Sequence, residues 1–388
     1  MRVAVAKATL QIQPTYFAVQ HAIALRERFD FRFFAAASNV TDQSILDLLP
    51  VQDMSRRIPV LRSQPYSRRE RIAPGLYLPV AAAIARWRPD VIHQHFANLS
   101  GGAVRAHRRT GAPLVLTLHG ADVFLRFTDR SSLGVAPRTL LAQHQRSVGR
   151  AFEEATRILA VSEYLAGRAI EAGADPGKVQ VHYQGIDTDV YSPDVVRDAS
   201  GDSGDAVPKV VFVGALSEAK GVRDLLEASL RLQPTTPHRL LFAGDGPLRA
   251  VLESAATEHP HVEVRGSLSR DRVRELLTGA GVLVLPTKFS KGWREAAGLV
   301  TLEAQAMKVP VVVYDSGGAG EMLRDGETGL LVTEGDVAGL GDAIRQILRL
   351  HDTEHAAMGE KARRFVVEER SLAASSRRLG EIYQETTR

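Results

Sequence analysis

The sequence predicts an α/β protein made of two doubly wound, Rossmann-like domains, each a parallel sheet covered by helices. Three observations lead there. Short runs of Val, Leu and Ile alternate with segments of helical spacing, which is the pattern of βαβ units. The alternation breaks at Gly201-Asp-Ser-Gly-Asp-Ala-Val207, a stretch of linker composition, and then restarts. A chain of 388 residues also exceeds what one hydrophobic core ordinarily organises.

In chain order, Arg2–Ala8 reads as the first strand, Phe17–Leu25 as a helix and Phe31–Ala37 as a second strand. Residues 50–72 read as irregular, with three prolines and five arginines between Arg56 and Arg69. Helices are expected over Leu76–Arg86, Gly102–Arg109, Pro137–Ala155 and Tyr164–Ala172, and strands over Val91–His95, Pro113–Leu118, Arg157–Val161 and Val179–Tyr183. After the linker, strands are expected at Val210–Val213, Arg239–Ala243, Val262–Arg265, Val282–Leu285 and Val311–Tyr314, with a helix over Leu225–Leu232. Ser371–Thr387 is helical and carries Leu372, Leu379, Ile382 and Tyr383 on one apolar face. The expected division is residues 1–187, residues 188–370, and a terminal helix over 371–388 that returns to the first domain. Two such sheets facing each other across a cleft place ligands outside the strand carboxyl ends.

Composition narrows the chemistry. With no cysteine, disulfides, zinc–thiolate sites and thiol nucleophiles are excluded, and a reducing compartment is compatible. Met1-Arg-Val-Ala-Val-Ala-Lys7 is short and interrupted by charge, so it reads as a strand rather than a signal peptide. No apolar run approaches the ~20 residues that span a bilayer. Charge is unevenly placed. Residues 1–178 carry 24 Lys+Arg against 14 Asp+Glu, so the rest of a chain of net +4 carries −6. A basic first half suits an anionic lipid surface or glycan, and with it a cytoplasmic protein peripheral on the inner membrane face. An arginine-rich genome accounts for the same excess equally well. No nucleic-acid partner is expected.

The stretch richest in chemistry is Glu295-Ala-Ala-Gly-Leu-Val-Thr-Leu-Glu303. Read plainly, it is a solvated loop glutamate and a surface helical one. Its flanks argue for more. Buried strands precede and follow it, Gly298 permits close backbone approach, and a helix beginning near Leu299 would turn the amides of Leu299 and Val300 toward an anion. Glu303, in the second turn, could accept hydrogen bonds from sugar hydroxyls. Elsewhere, Leu118-His119-Gly120 ends a strand with a histidine aimed at the expected cleft. Phe212-Val-Gly214 through Lys220-Gly221 is a strand–turn–helix in which Lys220 and helix amides could share a diphosphate. Gly244-Asp-Gly246 lacks the third glycine of a dinucleotide fingerprint and is taken as structural. Gly266-Ser267-Leu268 ends a strand as a candidate base-binding edge. His93-x-His95 lacks a third ligand nearby, which makes it a poor metal site.

These segments together resemble retaining glycosyltransferase family 4, whose signature is Glu, seven residues, Glu. The resemblance covers nearly the whole chain, is strongest from Val210 to Val332, and is closest to exopolysaccharide-type members through Pro14-Thr-Tyr-Phe17 and His119-Gly-Ala-Asp122. It implies the GT-B fold, and a metal-independent transfer from a nucleotide diphosphate sugar to a glycan, lipid-linked or natural-product acceptor. No cofactor beyond that co-substrate is implied. Glu295 and His119 would address the transferred sugar, and Lys220 the phosphates. Glu303, Gly298, Leu299, Val300, Gly214, Gly266, Ser267 and Leu268 would hold the donor. The first loop, with Gln11 and Gln13, and Asp122 would meet the acceptor. Asp187-Thr-Asp189 falls in the interdomain segment of this family, so a metal role there is not expected. Three positions depart from the pattern: Ala215 where arginine is usual, Ala297 where an aromatic is usual, and Lys308 where glycine normally follows the helix. Arg294, Lys291 or Arg223 could supply the missing charge. The alternatives are a non-catalytic nucleotide-sugar or glycan-binding protein, and another GT-B enzyme such as a nucleotide-sugar epimerase or a phosphorylase; none of the eight lysines has a recognisable pyridoxal-binding context.

Overall fold

The structure, a computed structural model, describes residues 1–12, 17–40, 43–129, 131, 134–196 and 207–388. The chain divides into two compact units, Met1–Gly185 with Ser375–Arg388, and Ile186–Ala374. The predicted linker lies almost wholly outside the described residues, as does Gln13.

The first unit contains strands β1 (Arg2–Ile12), β2 (Asp30–Val40), β3 (Val51–Asp53), β4 (Val91–His95), β5 (Leu114–Leu118), β6 (Arg157–Ala160) and β7 (Val179–Val181). Its helices are α1 (Phe17–Leu25), α2 (Gln43–Leu48), α3 (Pro59–Arg62), α4 (Tyr66–Ile72), α5 (Tyr77–Trp87), α6 (Gly101–Thr110), α7 (Ala121–Phe124), α8 (Val135–Glu154) and α9 (Glu163–Glu171). The second unit holds β8 (Lys209–Val213), β9 (Arg239–Ala243), β10 (Val262–Gly266), β11 (Val282–Leu285), β12 (Val311–Asp315) and β13 (Gly329–Thr333). Helices α10 (Val222–Leu232), α11 (Arg249–Glu258), α12 (Arg270–Leu277), α13 (Leu299–Ala306), α14 (Val337–Leu348) and α15 (Asp352–Glu369) cover them, and α16 (Leu372–Thr386) follows.

Both sheets are parallel, in the orders β3-β2-β1-β4-β5-β6-β7 and β10-β9-β8-β11-β12-β13. Each therefore reverses its winding once, between β1 and β4 and between β8 and β11, and a crevice opens at such a reversal. In the first unit the split is explicit. β1 pairs with β4 only as far as Ala6 with Gln94, while its pairing with β2 runs on to Ile12 with Val40. The expected first loop is thus strand through Ile12, and Gln11 stands exposed on that strand rather than in a loop.

From Ser375 onward α16 belongs to the first unit. Leu379, Ile382 and Tyr383 join a core with Leu25, Phe29, Phe31 and Phe33. Gly380 lets the helix approach closely, since a Cβ there would lie 3.3 Å from the Phe29 ring.

Residues 50–72 are not irregular. Their arginines conceal short helices because one of them is structural. Arg69 is 2% exposed. Its guanidinium donates to Asp53 Oδ2 at 2.5 Å, to Ser55 Oγ at 2.9 Å and to the Ser38 carbonyl at 2.8 Å. Asp53 also accepts from Ser38 N at 2.8 Å and Ser55 Oγ at 2.6 Å. Burial alone would raise the Asp53 pKa, but the hydrogen bonds from Ser55, Ser38 and Arg69 hold it below its ordinary value. The pair therefore contributes stability that is present above the unfolded carboxylate pKa and is lost as pH falls through the folded one. Replacing Arg69 by Met strands the buried carboxylate. Urea unfolding at neutral pH should show a loss of about 3–5 kcal/mol, with acid unfolding beginning at higher pH than in the wild type. A loss within ~0.5 kcal/mol, the range of an unremarkable surface substitution, would remove this network as the anchor of β3 and α4.

Candidate functional site

In the second unit the predicted residues gather at the β8/β11 reversal. β8 ends at Val213, and the chain turns through Gly214, Ser217 and a short 3-10 turn, Glu218–Lys220, into α10. Gly221 has φ +64°, and a Cβ on it would fall 1.9 Å from the Pro286 carbonyl oxygen, so the loops after β8 and β11 touch backbone to backbone. That contact places Lys220 against the loop carrying Glu295. The two side chains form an ion pair, and Lys220 Nζ lies 5.0 Å from the Trp293 ring centroid. Glu295 is fixed from its other side. Its carbonyl accepts the Gly318 amide at 2.9 Å, and a Cβ on Gly317 would strike that carbonyl at 2.2 Å. The Ser316-Gly-Gly318 turn after β12 is therefore a brace for Glu295.

Gly298, with φ +74°, starts α13, and no side chain caps that end. The amides of Leu299 and Val300 precede the helical hydrogen-bond ladder and remain donors. Glu303 follows one turn later. Burial raises its pKa to about 7, against the opposing pull of a hydrogen bond from the Tyr191 phenol and the nearby Arg270. Tyr191 is 4% exposed, and burial and Glu303 push its phenol pKa up.

Tyr191 was not singled out from sequence, yet its neighbours exist to hold it. Asp187 Oδ1 accepts the amides of Asp189 and Val190 at 3.0 and 3.1 Å, which makes the Asp-x-Asp segment a turn. Arg274 binds the Val190 carbonyl at 3.1 Å. Arg363 binds the carbonyls of Tyr191 at 3.1 Å and Ala306 at 2.6 Å, the latter at the end of α13. Lys308, the departure after that helix, does adopt φ +62°, the left-handed conformation that favours glycine.

The remaining donor-side candidates are near but distinct. Gly266, with φ +67°, ends β10; Ser267 is exposed; and Ser269 caps α12, the helix that carries Arg270 toward Glu303. Ala215 is exposed. Two of its proposed substitutes are engaged elsewhere: Arg223 with Glu218 at 2.7 Å, and Arg294 with Glu334 at 3.6 Å. Lys291 is exposed on a turn with φ +49°. Gly244 and Gly246 pack on the backbone of Gly214 and Leu216, where a Cβ would come within 1.8 and 2.5 Å. This supports their structural reading.

In the first unit, His119 sits at the end of β5 in a cluster of rings. Its Nε2 is 3.2 Å from His95 Nδ1, and its Nδ1 is 3.2 Å from Gln184 Nε2. Its ring packs 4.2 Å from Phe96 and 4.7 Å from Phe17, between centroids. His93 bonds Tyr383 Oη at 2.6 Å and Thr117 Oγ1 at 2.7 Å. Burial, then neighbouring His93 and Lys7 among others, drives the pKa values of His95 and His119 well below the ordinary one, so these imidazoles are neutral. The His93-x-His95 pair is thus a buried hydrogen-bonding element. Among the described residues no group of His, Asp and Glu is placed to hold a metal.

Two further residues mark this end of the sheet. Phe96 has φ +65°, a strained conformation for a bulky side chain. Over its ring, at 4.7 Å, lies Lys7 Nζ, whose pKa burial lowers to about 8. Asp122, expected to meet an acceptor, is 1% exposed instead. Its oxygens take the amides of Ala97 at 2.9 Å and His119 at 3.1 Å, so it ties the β4 and β5 ends together from inside the fold.

Residues 16–190 match the family model described as Glycosyltransferase Family 4, and residues 207–350 the model described as Glycosyl transferases group 1. The chain is 31% identical to alpha-maltose-1-phosphate synthase of Mycolicibacterium smegmatis, covering 76% of this chain and 79% of that protein. It is 27% identical to N-acetyl-alpha-D-glucosaminyl L-malate synthase of Bacillus anthracis, covering 75% and 73%. With the glycogen synthase of Mycobacterium tuberculosis, 29% identical, the match takes in 71% of this chain and spans 64% of the relative's length. Among solved structures the fold is similar to sucrose-phosphate synthase from Thermosynechococcus elongatus, with TM-score 0.77, 18% identity and coverage of 99% and 98%. It is also similar to Anabaena HepE in complex with UDP and glucose, with TM-score 0.73, 19% identity and coverage of 99% and 100%.

The raised pKa of Glu303 has a measurable sign. A carboxyl whose folded pKa exceeds its unfolded one contributes stability below the unfolded pKa, and that contribution is lost as pH rises through about 7. Glu303→Gln should therefore leave urea stability nearly unchanged at pH 4.5 and raise it by on the order of 2 kcal/mol at pH 8. Equal effects at both pH values would show that Glu303 is not held in an apolar setting.

Proposed function

The chain belongs to glycosyltransferase family 4, and from that premise we propose that it is a retaining glycosyltransferase. It takes a sugar from a nucleoside diphosphate and transfers it to a hydroxyl of a glycan, lipid-linked or small-molecule acceptor. The observation that carries this reading is the second unit's β8/β11 crevice, where backbone contacts hold Glu295, Lys220 and the uncapped start of α13 as one rigid group. The complexes of HepE with UDP, UDP-glucose, and UDP with glucose support a uridine diphosphate donor.

In this reading the diphosphate accepts hydrogen bonds from the Leu299 and Val300 amides and draws Lys220 from Glu295, which frees that carboxylate to orient sugar hydroxyls. The acceptor oxygen bonds to the anomeric carbon on the face from which the diphosphate departs. The carbon–oxygen bond to the β-phosphate breaks, and the departing phosphate oxygen takes the acceptor proton. The protein supplies alignment and stabilises the developing phosphate charge, with no protein nucleophile and no metal. Glu303, already bonded to Tyr191, offers its remaining acceptor capacity to the ribose. No helix among the described residues is long and apolar enough to cross a membrane. The reading places the enzyme in the cytoplasm, with the basic first unit peripheral on anionic lipid.

A panel of nucleotide sugars tests the activity. One donor should turn over or hydrolyse, and EDTA should leave the rate unchanged. Loss in EDTA with restoration by manganese would overturn the metal-free mechanism, and donor binding without any turnover would favour a binding protein.

Calorimetry with UDP tests the site. Lys220→Ala and Glu303→Ala should each weaken binding by about 1–3 kcal/mol, the cost of leaving a charged or hydroxyl partner unpaired. Wild-type affinity in both variants would place the phosphates and ribose elsewhere.

A further inference from the structure

At the β1/β4 split the first unit opens a cavity of about 740 Å³. Its floor is small and largely apolar, built from Ala6, Ala36, Gly102 and Ala103. Its walls are cationic. Arg105, Arg108 and Arg109 line it from α6, Arg146 and Arg150 from α8, and Lys7 from β1, while among the described residues no carboxylate lines it. Arg108 is compensated by Glu154, its Nε lying 3.0 Å from Oε1. Arg105, Arg109 and Arg146 make no ion pair among the described residues. Cations one turn apart on a helix repel one another, and that repulsion persists in the unliganded protein.

Other donors face the same space. Gly101 and Gly102, the first two residues of α6, also line it, and the Ser100 side chain does not cap them. Ser100 Oγ lies instead 3.4 Å from Ser147 Oγ. Helix amides and arginine forks both suit phosphate oxygens. The volume exceeds what a bare phosphate fills and falls in the range of sites that hold a small organic molecule. Tyr77, 43% exposed, supplies a flat apolar wall for the rest of such a ligand. The cavity also reaches the chemistry already described, because Lys7 lines it and lies over Phe96, whose ring touches His119.

We propose that this groove binds a phosphate-bearing acceptor, its phosphate held between the arginines of α6 and α8 and its reacting hydroxyl directed toward Lys7 and the Phe96–His119 edge. The inference rests on the glycosyltransferase reading for the word acceptor, and on the groove alone for the phosphate. Soluble sugar phosphates and lipid headgroups share this chemistry.

The test uses the full chain and the double variant Arg105→Ala/Arg146→Ala, both exposed positions, with Arg109→Glu as a second variant. Inorganic pyrophosphate and glucose 6-phosphate are titrated calorimetrically, and co-sedimentation is measured with phosphatidylcholine vesicles with and without phosphatidic acid. The expected result is that affinity for the phosphate probes falls about tenfold or more in both variants, while UDP affinity is unchanged. If the loss appears only with phosphatidic acid vesicles, the phosphate is lipid-borne and the proposal stands. It is overturned if wild type binds no phosphate probe, if variants and wild type bind alike, if glucuronate binds as well as glucose 6-phosphate, or if UDP affinity falls in parallel. Failure of UDP alone would remove uridine diphosphate as the donor; failure of every nucleotide sugar in the donor panel to bind or turn over would sink the glycosyltransferase reading and leave the phosphate result intact.

Discussion

The contact on which the second unit's site depends is one of backbone against backbone. The loop after β8 passes so near the loop after β11 that a single Cβ on Gly221 would collide with the Pro286 carbonyl. Gly317 makes the same demand against Glu295. Neither contact contributes much energy. Each removes freedom, which is what the proposed transfer needs, since its chemistry would be alignment and charge stabilisation. Lys220 and Glu295 are far apart in sequence, yet the approach of their loops leaves them little choice of partner.

A second constraint is the management of buried polar groups. In the first unit, Asp122 closes the β4 and β5 ends by accepting two amides, and the histidines pass hydrogen bonds from Gln184 through His119 and His95, and from His93 to Tyr383. Arg69 and Asp53 do the same work at the sheet edge. These groups are neutral or paired because burial makes any other state costly. The arginines of α6 and α8 follow the opposite rule. They stay exposed, and among the described residues only Arg108 of those lining the cavity forms an ion pair, which is the state the proposed phosphate ligand requires.

Much of this was legible in sequence where the signal is local. Buried parallel strands read as apolar runs, and Val91–His95, Arg239–Ala243 and Val282–Leu285 fall on their observed bounds. The Glu295–Glu303 spacing also reads directly, since one loop and one helix contain it. Illegible were features whose cause lies far along the chain. Nothing near Tyr191 announces Glu303, and nothing near Lys7 announces Phe96. Residues 50–72 looked irregular because Arg69 counts as solvated until Asp53 is brought against it. Asp122 looked available because its two amide partners lie on different strand ends. The continuation of β1 through Ile12 was hidden by polar side chains on a strand whose neighbour on one side has ended.

The division of the chain has a consequence for its biosynthesis. The first unit's core includes Leu379, Ile382 and Tyr383, which leave the ribosome only after the whole of residues 186–374. At 5–20 residues per second, that interval is roughly 10–40 s. Throughout it the nascent first unit presents an uncovered apolar face around Leu25, Phe29 and Phe31, and His93 lacks its tyrosine partner. The second unit, contiguous in sequence, can complete its core first. Translation order and folding order are therefore inverted, and the nascent chain is most exposed to chaperones and aggregation while its amino-terminal half waits.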